Sequence, residues 1–223
     1  LKLVLQRVSL LWSPFSVDDA RLVSDSIANV DEGTPGPRVE PARELERLVA
    51  AELLRRVDHA DTPRDKTFDP SAVPEDERRY RFCNALTKEV ASRTLLPEES
   101  RRLHARIADH LLERDSGRGD TAVIARHFDE AGETDRAIEL YAESAENALR
   151  DYGAAECLRL CSKVLERAEQ TDPLYLDILF TEEKALQELG DRERRKAALD
   201  ELESLIERGD DAGTQVDVYR RMA

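Results

Sequence analysis

The residue types that could do chemistry in this chain are few, and two cysteines have the most suggestive spacing. Cys157 and Cys161 are four residues apart, so on a helix they would share one face and could contribute to a metal site. A zinc site needs about four ligands, and no histidine lies within 25 residues of the pair. Because a free cysteine also packs as a small apolar side chain, we expect both cysteines in a helical core and no metal site.

The remaining candidates for catalysis are histidines. His104 and His110 lie in a predicted helix with a mixed face, and His127 lies near the first turn of a predicted repeat. A general base needs a nearby nucleophile and a partner that orients it, and the sequence pattern provides neither. The phosphate-binding sequence Gly-x-x-x-x-Gly-Lys-Ser/Thr does not occur in the 223 residues. We therefore expect no catalytic residue and no bound cofactor in this chain.

The charge of the chain is unevenly distributed. The 223 residues contain 34 Lys and Arg against 48 Asp and Glu, a net charge of −14. Residues 120–223 contain 14 basic and 26 acidic side chains, which argues against a nucleic-acid partner for this half because phosphate binding needs Lys and Arg. This acidic surface could dock a basic partner or could simply face solvent.

The sequence shows no apolar stretch or leader of the kind that directs a protein to or across a membrane. No stretch approaches 18 uninterrupted apolar residues, so we expect no membrane partner. Three cysteines without a signal peptide predict a cytoplasmic protein, and the start at Leu1 predicts a piece of a longer chain.

The first half has the pattern of three helices followed by a β-hairpin. Ser16 is a predicted N-cap for a helix over Val17–Ala28, residues 31–37 form a loop, and a third helix runs from about Ala42 to Leu54. Two short alternating segments, residues 53–57 and 80–82, could pair as strands, with a mobile insertion over 59–79 at the tip of the hairpin. This layout predicts a winged helix.

DNA binding by this first half is not expected. The third helix, Arg43 to Arg56, mixes four basic with three acidic residues, whereas a recognition helix has a clearer positive bias.

The second half repeats with a period of 38 residues. Predicted helices begin at Asp135, Gly153, Pro173 and Asp191, and alternate starts are 38 residues apart. Antiparallel helices approach closely where small residues lie, which we assign to Ala137, Ala155 and Ala198. We expect tetratricopeptide-like helix pairs stacked into an α-solenoid with a concave surface, and a sixth helix that begins in residues 214–223 and is cut short, so that the last repeat is truncated.

The sequence therefore predicts a mainly α-helical fold with three parts. A winged-helix-like domain with a small two-stranded wing covers residues 1–96. A connecting helix and linker cover residues 97–119, and tetratricopeptide-like repeats cover residues 120–223.

The segment from Tyr80 through Ala108 resembles a known family. Its sequences Tyr-Arg-Phe-Cys-Asn-Ala-Leu-Thr-Lys-Glu-Val-Ala and Leu-Leu-Pro-Glu-Glu-Ser-Arg-Arg-Leu-His-Ala-Arg-Ile-Ala are similar to the region after the ATPase core in bacterial signal-transduction ATPases of the STAND class. Residues 131–137, Ala-Gly-Glu-Thr-Asp-Arg-Ala, similarly resemble the family's first repeat turn. Members are often fused to an adenylate cyclase, a protein kinase or a LuxR-type DNA-binding domain.

The resemblance also implies site residues. The family usually has Phe-Arg-His where this chain has Phe82-Cys83-Asn84, and in related switch ATPases that histidine contacts the phosphates of the bound nucleotide. Asn84 is thus the implied nucleotide-proximal position, although its amide carries no charge. Separately from the resemblance, Arg101, Arg102 and Arg106 are predicted on one helical face, which makes them candidates for contact with acidic side chains of another domain, or with nucleotide phosphates.

As a function, the resemblance implies a non-catalytic regulator in signal transduction. The implied partners are an upstream nucleotide-binding domain that holds ATP or ADP in the parent protein, and a protein or peptide ligand on the repeats. The alternative is a constitutive tetratricopeptide scaffold that holds an effector without nucleotide-linked switching.

Overall fold

A computed structural model describes residues 1–11, 14–24, 40–57, 78–115 and 121–208 of the chain. Within these ranges 76% of the residues are helical, in ten helices, and the remainder includes three short strands. The prediction of a mainly α-helical protein is confirmed. Four predicted features lie outside the described residues: the loop over 31–37, most of the insertion over 59–79, the linker after Asp115, and the start of a sixth helix in 214–223.

The chain divides into two compact units. Unit 1 comprises residues 1–114 with 130–132, and unit 2 comprises residues 115–129 with 133–223. The predicted domain boundaries at residues 96 and 119 stay predictions. No helix in the described ranges has both the length and the apolar character needed to cross a membrane.

Unit 1 contains five helices and a sheet among its described residues. In chain order these are α1 (Lys2–Val8), β1 (Phe15–Ser16), α2 (Val17–Ser24), α3 (Pro41–Ala50), β2 (Leu54–Val57), β3 (Arg79–Phe82), α4 (Ala85–Arg93) and α5 (Pro97–Asp115). Its core is one apolar cluster drawn from these elements, which includes Val8, Phe15, Leu45, Leu48, Tyr80 and Leu103.

Ser16 caps α2 as predicted. Its hydroxyl oxygen accepts the backbone N–H of Asp19 at 3.1 Å, and the Asp19 carboxylate accepts the backbone N–H of Ser16 at 2.8 Å. This reciprocal pair satisfies two donors that the first turn of a helix otherwise leaves unpaired. The part of the predicted helix beyond Ser24 lies outside the described residues.

The predicted hairpin is present, but the sheet has a third strand. β2 and β3 pair antiparallel with Leu54 opposite Phe82, and β1 pairs with the other side of β3, which gives the order β1-β3-β2. The two predicted strands are thus part of a three-stranded sheet, and β1 was not predicted because a strand of two residues carries no readable alternation.

The third helix ends earlier than predicted. α3 ends at Ala50, where Glu52 adopts a left-handed φ of 58° and the Leu53 N–H closes the helix on the Leu48 carbonyl at 3.0 Å. Leu54 consequently belongs to β2 rather than to the helix.

Unit 2 is built from helices that pack in chain order. The helices are α6 (Thr121–Ala131), α7 (Thr134–Arg150), α8 (Ala154–Leu165), α9 (Pro173–Leu189) and α10 (Arg192–Arg208). α7 packs against α8, α8 against α9 and α9 against α10, and α7 also contacts α9. Because the connections between α7, α8, α9 and α10 are short, these helices are antiparallel to the neighbours that they contact.

One of the three predicted close-approach alanines is wrong. Ala137 and Ala198 are buried, but Ala155 is exposed and its neighbour Ala154 is buried in its place. Ala154 lies one turn before Leu158 on the core face of α8, whereas Ala155 is rotated about 100° from Ala154 toward solvent.

The turn between α7 and α8 holds a tyrosine where the ends of α6 and α9 use glycine. Gly132 and Gly190 have left-handed φ angles of 86° and 72°. Tyr152 has a similar φ of 61°, and this residue is 91% exposed. A Cβ disfavours this left-handed conformation, and an exposed ring recovers little of the cost by packing.

We therefore expect Tyr152→Gly to raise the free energy of unfolding by about 0.5–1 kcal/mol, because it removes this backbone strain. Urea denaturation followed by circular dichroism measures the change. Tyr152→Ala is the matched control, since it keeps the Cβ, and should leave stability nearly unchanged. A loss of stability in the glycine variant would mean that the tyrosine ring packs favourably.

Candidate functional site

Asn84 lies at the start of α4, where it acts as the N-cap. Its side-chain oxygen accepts the backbone N–H of Leu86 at 2.8 Å, and the residue is exposed. The side chain thus has a structural role in beginning the helix. The implied proximity of Asn84 to a nucleotide stays a prediction.

The three candidate arginines lie on α5. Arg101 and Arg102 are exposed and Arg106 is half-buried. Arg102 and Arg106 are one turn apart on the helix, whereas Arg101 is rotated about 100° from Arg102. Their role in contacting another domain stays a prediction.

Three exposed apolar side chains follow Asn84 in the chain, and the sequence pattern did not predict their exposure. Leu86 and Val90 are one turn apart on α4 and are 62% and 55% exposed, and Leu96 just before α5 is 70% exposed. Ala91 is the buried residue of α4. The helical spacing of Leu86 and Val90 is the signal that sequence reasoning could have used, but it does not distinguish a core face from an exposed one.

Glu46 of α3 joins the helix to the sheet in unit 1. Its carboxylate accepts hydrogen bonds from Arg56 Nε at 3.1 Å and from the Tyr80 hydroxyl at 2.7 Å, and Arg78 Nη1 lies 3.7 Å away. Burial, followed by the hydrogen bond to Glu46, raises the pKa of Tyr80 to about 12. Burial also acts to raise the pKa of Glu46, but Arg56 and Tyr80 outweigh it and hold that pKa below its ordinary value.

In unit 2, Asp129 of α6 forms an ion pair with Arg167, which lies 38 residues later in the chain. Arg167 donates to both carboxylate oxygens of Asp129, from Nε at 2.8 Å and from Nη2 at 2.9 Å, and the Tyr141 hydroxyl lies 3.5 Å from the same carboxylate. Burial and the nearby Asp129 charge raise the pKa of Tyr141 to about 12. The group ties α6 and α7 to the segment that follows α8.

α9 and α10 are joined by two ion pairs and a tyrosine. Glu182 and Glu183 pair with Arg194 and Arg195 at 3.5 and 2.5 Å. Tyr175 donates its hydroxyl hydrogen to Glu201 at 2.7 Å. Burial raises the pKa of Glu182 despite the opposing charge of Arg194, so the ionised form is disfavoured in the folded chain.

Glu182→Gln should consequently maintain or increase stability at pH 7. A carboxyl with a raised folded-state pKa contributes its stability below its unfolded pKa and loses it as the pH rises through the folded value. In thermal melts, the stability of the glutamine variant relative to the parent chain should increase as the pH rises from 4 to 7, because the variant lacks the group that loses stability over this range. Glu183→Gln is the matched neighbour and should lower stability at pH 7, because it removes the charged acceptor of Arg195. Equal effects of the two substitutions would contradict the expectation.

The cysteines of α8 pack in the core as predicted. Cys157 and Cys161 are buried with their Sγ atoms 3.8 Å apart, and contact with Cys157 together with burial raises the pKa of the Cys161 thiol. Across the residues that the structure describes, no group of three or more His, Cys, Asp or Glu side chains is placed to hold a metal ion. His127 is buried in α6, and His104 and His110 are half-buried on α5.

The surfaces of unit 2 are acidic and helical. Residues 121–208 contain 22 acidic and 12 basic side chains, and Glu139 and Glu143 on α7 are exposed one turn apart. Such a surface can contact a protein through side chains on several stacked helices.

Comparisons with known proteins give no match to this chain among protein-family models, curated proteins or solved structures.

Proposed function

We propose that this chain is a regulatory, protein-interaction segment of a larger signalling ATPase of the STAND class. In this proposal unit 1 is a winged-helix domain that controls an upstream nucleotide-binding domain. Unit 2 is a tetratricopeptide-like array that receives a protein or peptide ligand.

The observation that carries the proposal is the stacking of helices in unit 2. Each helix from α7 to α10 packs on the next, and the contact of α7 with α9 extends the stack beyond a single hairpin. Asp129 of α6 also pairs with Arg167, which follows α8, so the contacts extend across more than one hairpin. Stacked hairpins of this kind expose one long surface, which is the usual basis of ligand binding by repeat proteins.

The element order of unit 1 supports the winged-helix part of the proposal. A strand lies between the first two helices, a β-hairpin follows the third helix, and the sheet order is β1-β3-β2. This is the arrangement expected of a winged helix.

The exposed apolar side chains of unit 1 supply a surface for the upstream domain. Leu86, Val90 and Leu96 fall within eleven residues and are each more than half exposed. Burying such side chains against a partner is favourable because it removes apolar area from water. Asn84 precedes this surface directly, which is where the family resemblance locates the nucleotide-proximal residue.

The mechanism we propose is a shift between two populations. In the resting state unit 1 packs on the nucleotide domain and slows nucleotide release. Ligand binding to unit 2 favours the released state, which requires a higher affinity for that state than for the resting one. A coupling of about 1–3 kcal/mol between the two sites would change nucleotide affinity about 5- to 150-fold.

The test compares nucleotide exchange in the full-length protein with and without residues 120–223. The switch predicts a clear change in exchange rate and in assembly when the array is removed. A full-length variant carrying Leu86→Ser and Val90→Ser should separately accelerate exchange, because it weakens the resting contact. Lys2→Ser on the exposed start of α1 is its control.

Unchanged exchange and assembly after deletion of residues 120–223 would refute the switch. A stable partner bound equally in every nucleotide state would instead favour the constitutive scaffold.

A further inference from the structure

α4 buries little of its surface against the rest of unit 1. Of its nine residues, all of which the structure describes, Ala91 is the one that is buried. Leu86 and Val90 are 62% and 55% exposed, and the apolar core of unit 1 includes no described residue of α4. Since burial of an apolar face normally holds a helix in place, α4 has little of the packing that stabilises its neighbours.

Two polar links join α4 and its C-cap residue, Thr94, to α1 and the residues just after α1. Lys88 Nζ donates to the Leu11 carbonyl at 2.9 Å. Gln6 Nε2 donates to the Thr94 hydroxyl at 2.8 Å and to the Thr94 carbonyl at 3.2 Å, in an exposed position. We call these two links the α4 latch. Because water can replace the partners of exposed donors and acceptors, breaking such a latch costs less than exposing buried apolar side chains.

The elements on either side of α4 have buried anchors of their own. Tyr80 of β3 and Leu95, which precedes α5, are buried, and so are Leu103 and Ile107 of α5. α4 has nine residues, and a helix shorter than about 12–15 residues is marginal in water by itself. α4 therefore stays helical only while it is docked, and its undocking leaves these anchors in place.

We propose that α4 is a conformational switch element, which undocks from α1 and loses its helical structure while the rest of unit 1 stays folded. Breaking the α4 latch is the opening step. A partner that binds the undocked segment shifts unit 1 toward the open state, and a partner that covers the docked face keeps α4 closed. The opening is a property of this chain and stands independently of the function proposed above.

Hydrogen exchange of the 223-residue chain, followed by NMR without denaturant and in low concentrations of urea, tests this local opening. Amides of residues 88–93 should exchange at least about a hundredfold faster than those of residues 103–108 in α5. Their rates should also depend weakly on urea, because undocking exposes little surface. Equal rates for the two helices, or an equal dependence on urea, would mean that α4 opens only when unit 1 unfolds, and would overturn the proposal.

Variants of the α4 latch test the opening step. Lys88→Met with Gln6→Ala removes both donors and should accelerate the exchange of α4 amides about tenfold. Glu89→Gln with Arg93→Gln is the matched control, because it removes an exposed ion pair within the same helix. The control should change α4 exchange by about twofold or less. Equal effects of the two double variants would overturn the role of the latch.

Arg7→Met provides the reverse test. Arg7 donates to Glu99 of α5 and to the Val23 and Ser24 carbonyls of α2, so these hydrogen bonds stay intact when α4 undocks. The variant should accelerate the exchange of residues 103–108 at least about tenfold, because it lowers the free energy of global unfolding, and should change α4 exchange by about twofold or less. Equal acceleration of both helices would contradict a local opening of α4.

Discussion

Replacing Arg7 with methionine is expected to lower the free energy of unfolding of unit 1 by about 2–4 kcal/mol. The guanidinium is buried and donates to Glu99 from Nε at 2.9 Å and from Nη2 at 2.5 Å. Its Nη1 donates to the Val23 and Ser24 carbonyls at 3.1 and 3.2 Å, so one side chain of α1 holds the end of α2 and the start of α5. Methionine keeps the apolar volume but leaves these acceptors unpaired.

Urea denaturation followed by tryptophan fluorescence measures this effect, because Trp12 is the single tryptophan of the chain and follows α1 in the sequence. Arg21→Met is the control, since Arg21 pairs with Asp18 at an exposed position on α2. The control should change stability by less than about 0.5 kcal/mol. Similar losses in both variants would mean that the buried arginine does not hold the three helices together.

Replacing Asp129 with asparagine should destabilise unit 2 by about 2–3 kcal/mol. Asparagine keeps the shape of the side chain but removes the charge that both Arg167 hydrogen bonds use, and the two side chains are 21% and 23% exposed. Most of this loss of stability should come from weaker packing of α6 and α7 against the segment that follows α8.

A double-mutant cycle of Asp129→Asn and Arg167→Met, measured by circular dichroism in urea, isolates the pair energy. The exposed pair of Glu156 and Arg159 on α8 is the matched comparison and should couple by at most about 0.5 kcal/mol. If the two pairs couple equally, Asp129 and Arg167 are an ordinary surface ion pair.

Helical periodicity and capping made much of the fold predictable. The Ser16 cap and the core position of Cys157 and Cys161 follow from residues close in sequence or on one helix face. The pairing of β2 with β3 follows from the alternating pattern within each strand. β1 was missed because two residues are too few for a pattern, and Ala155 was misassigned because two adjacent alanines are equivalent by type.

The side-chain contacts that matter most could not be predicted from the sequence. Arg7 and Glu99 are 92 residues apart and Asp129 and Arg167 are 38 apart, and many other arginines and acids could have formed pairs. The exposure of Leu86 and Val90 likewise depends on which face of α4 packs on the rest of unit 1. Asn84 was expected beside a nucleotide from resemblance alone, and the geometry adds its role as a helix cap.

Hydrogen exchange of the full-length protein, loaded with ADP or with ATP, tests the central claim most directly. The account predicts that backbone amides in residues 84–114 are more protected in the ADP state, because unit 1 then packs on the nucleotide domain. Identical exchange of these residues in both nucleotide states would contradict nucleotide-linked control by this segment.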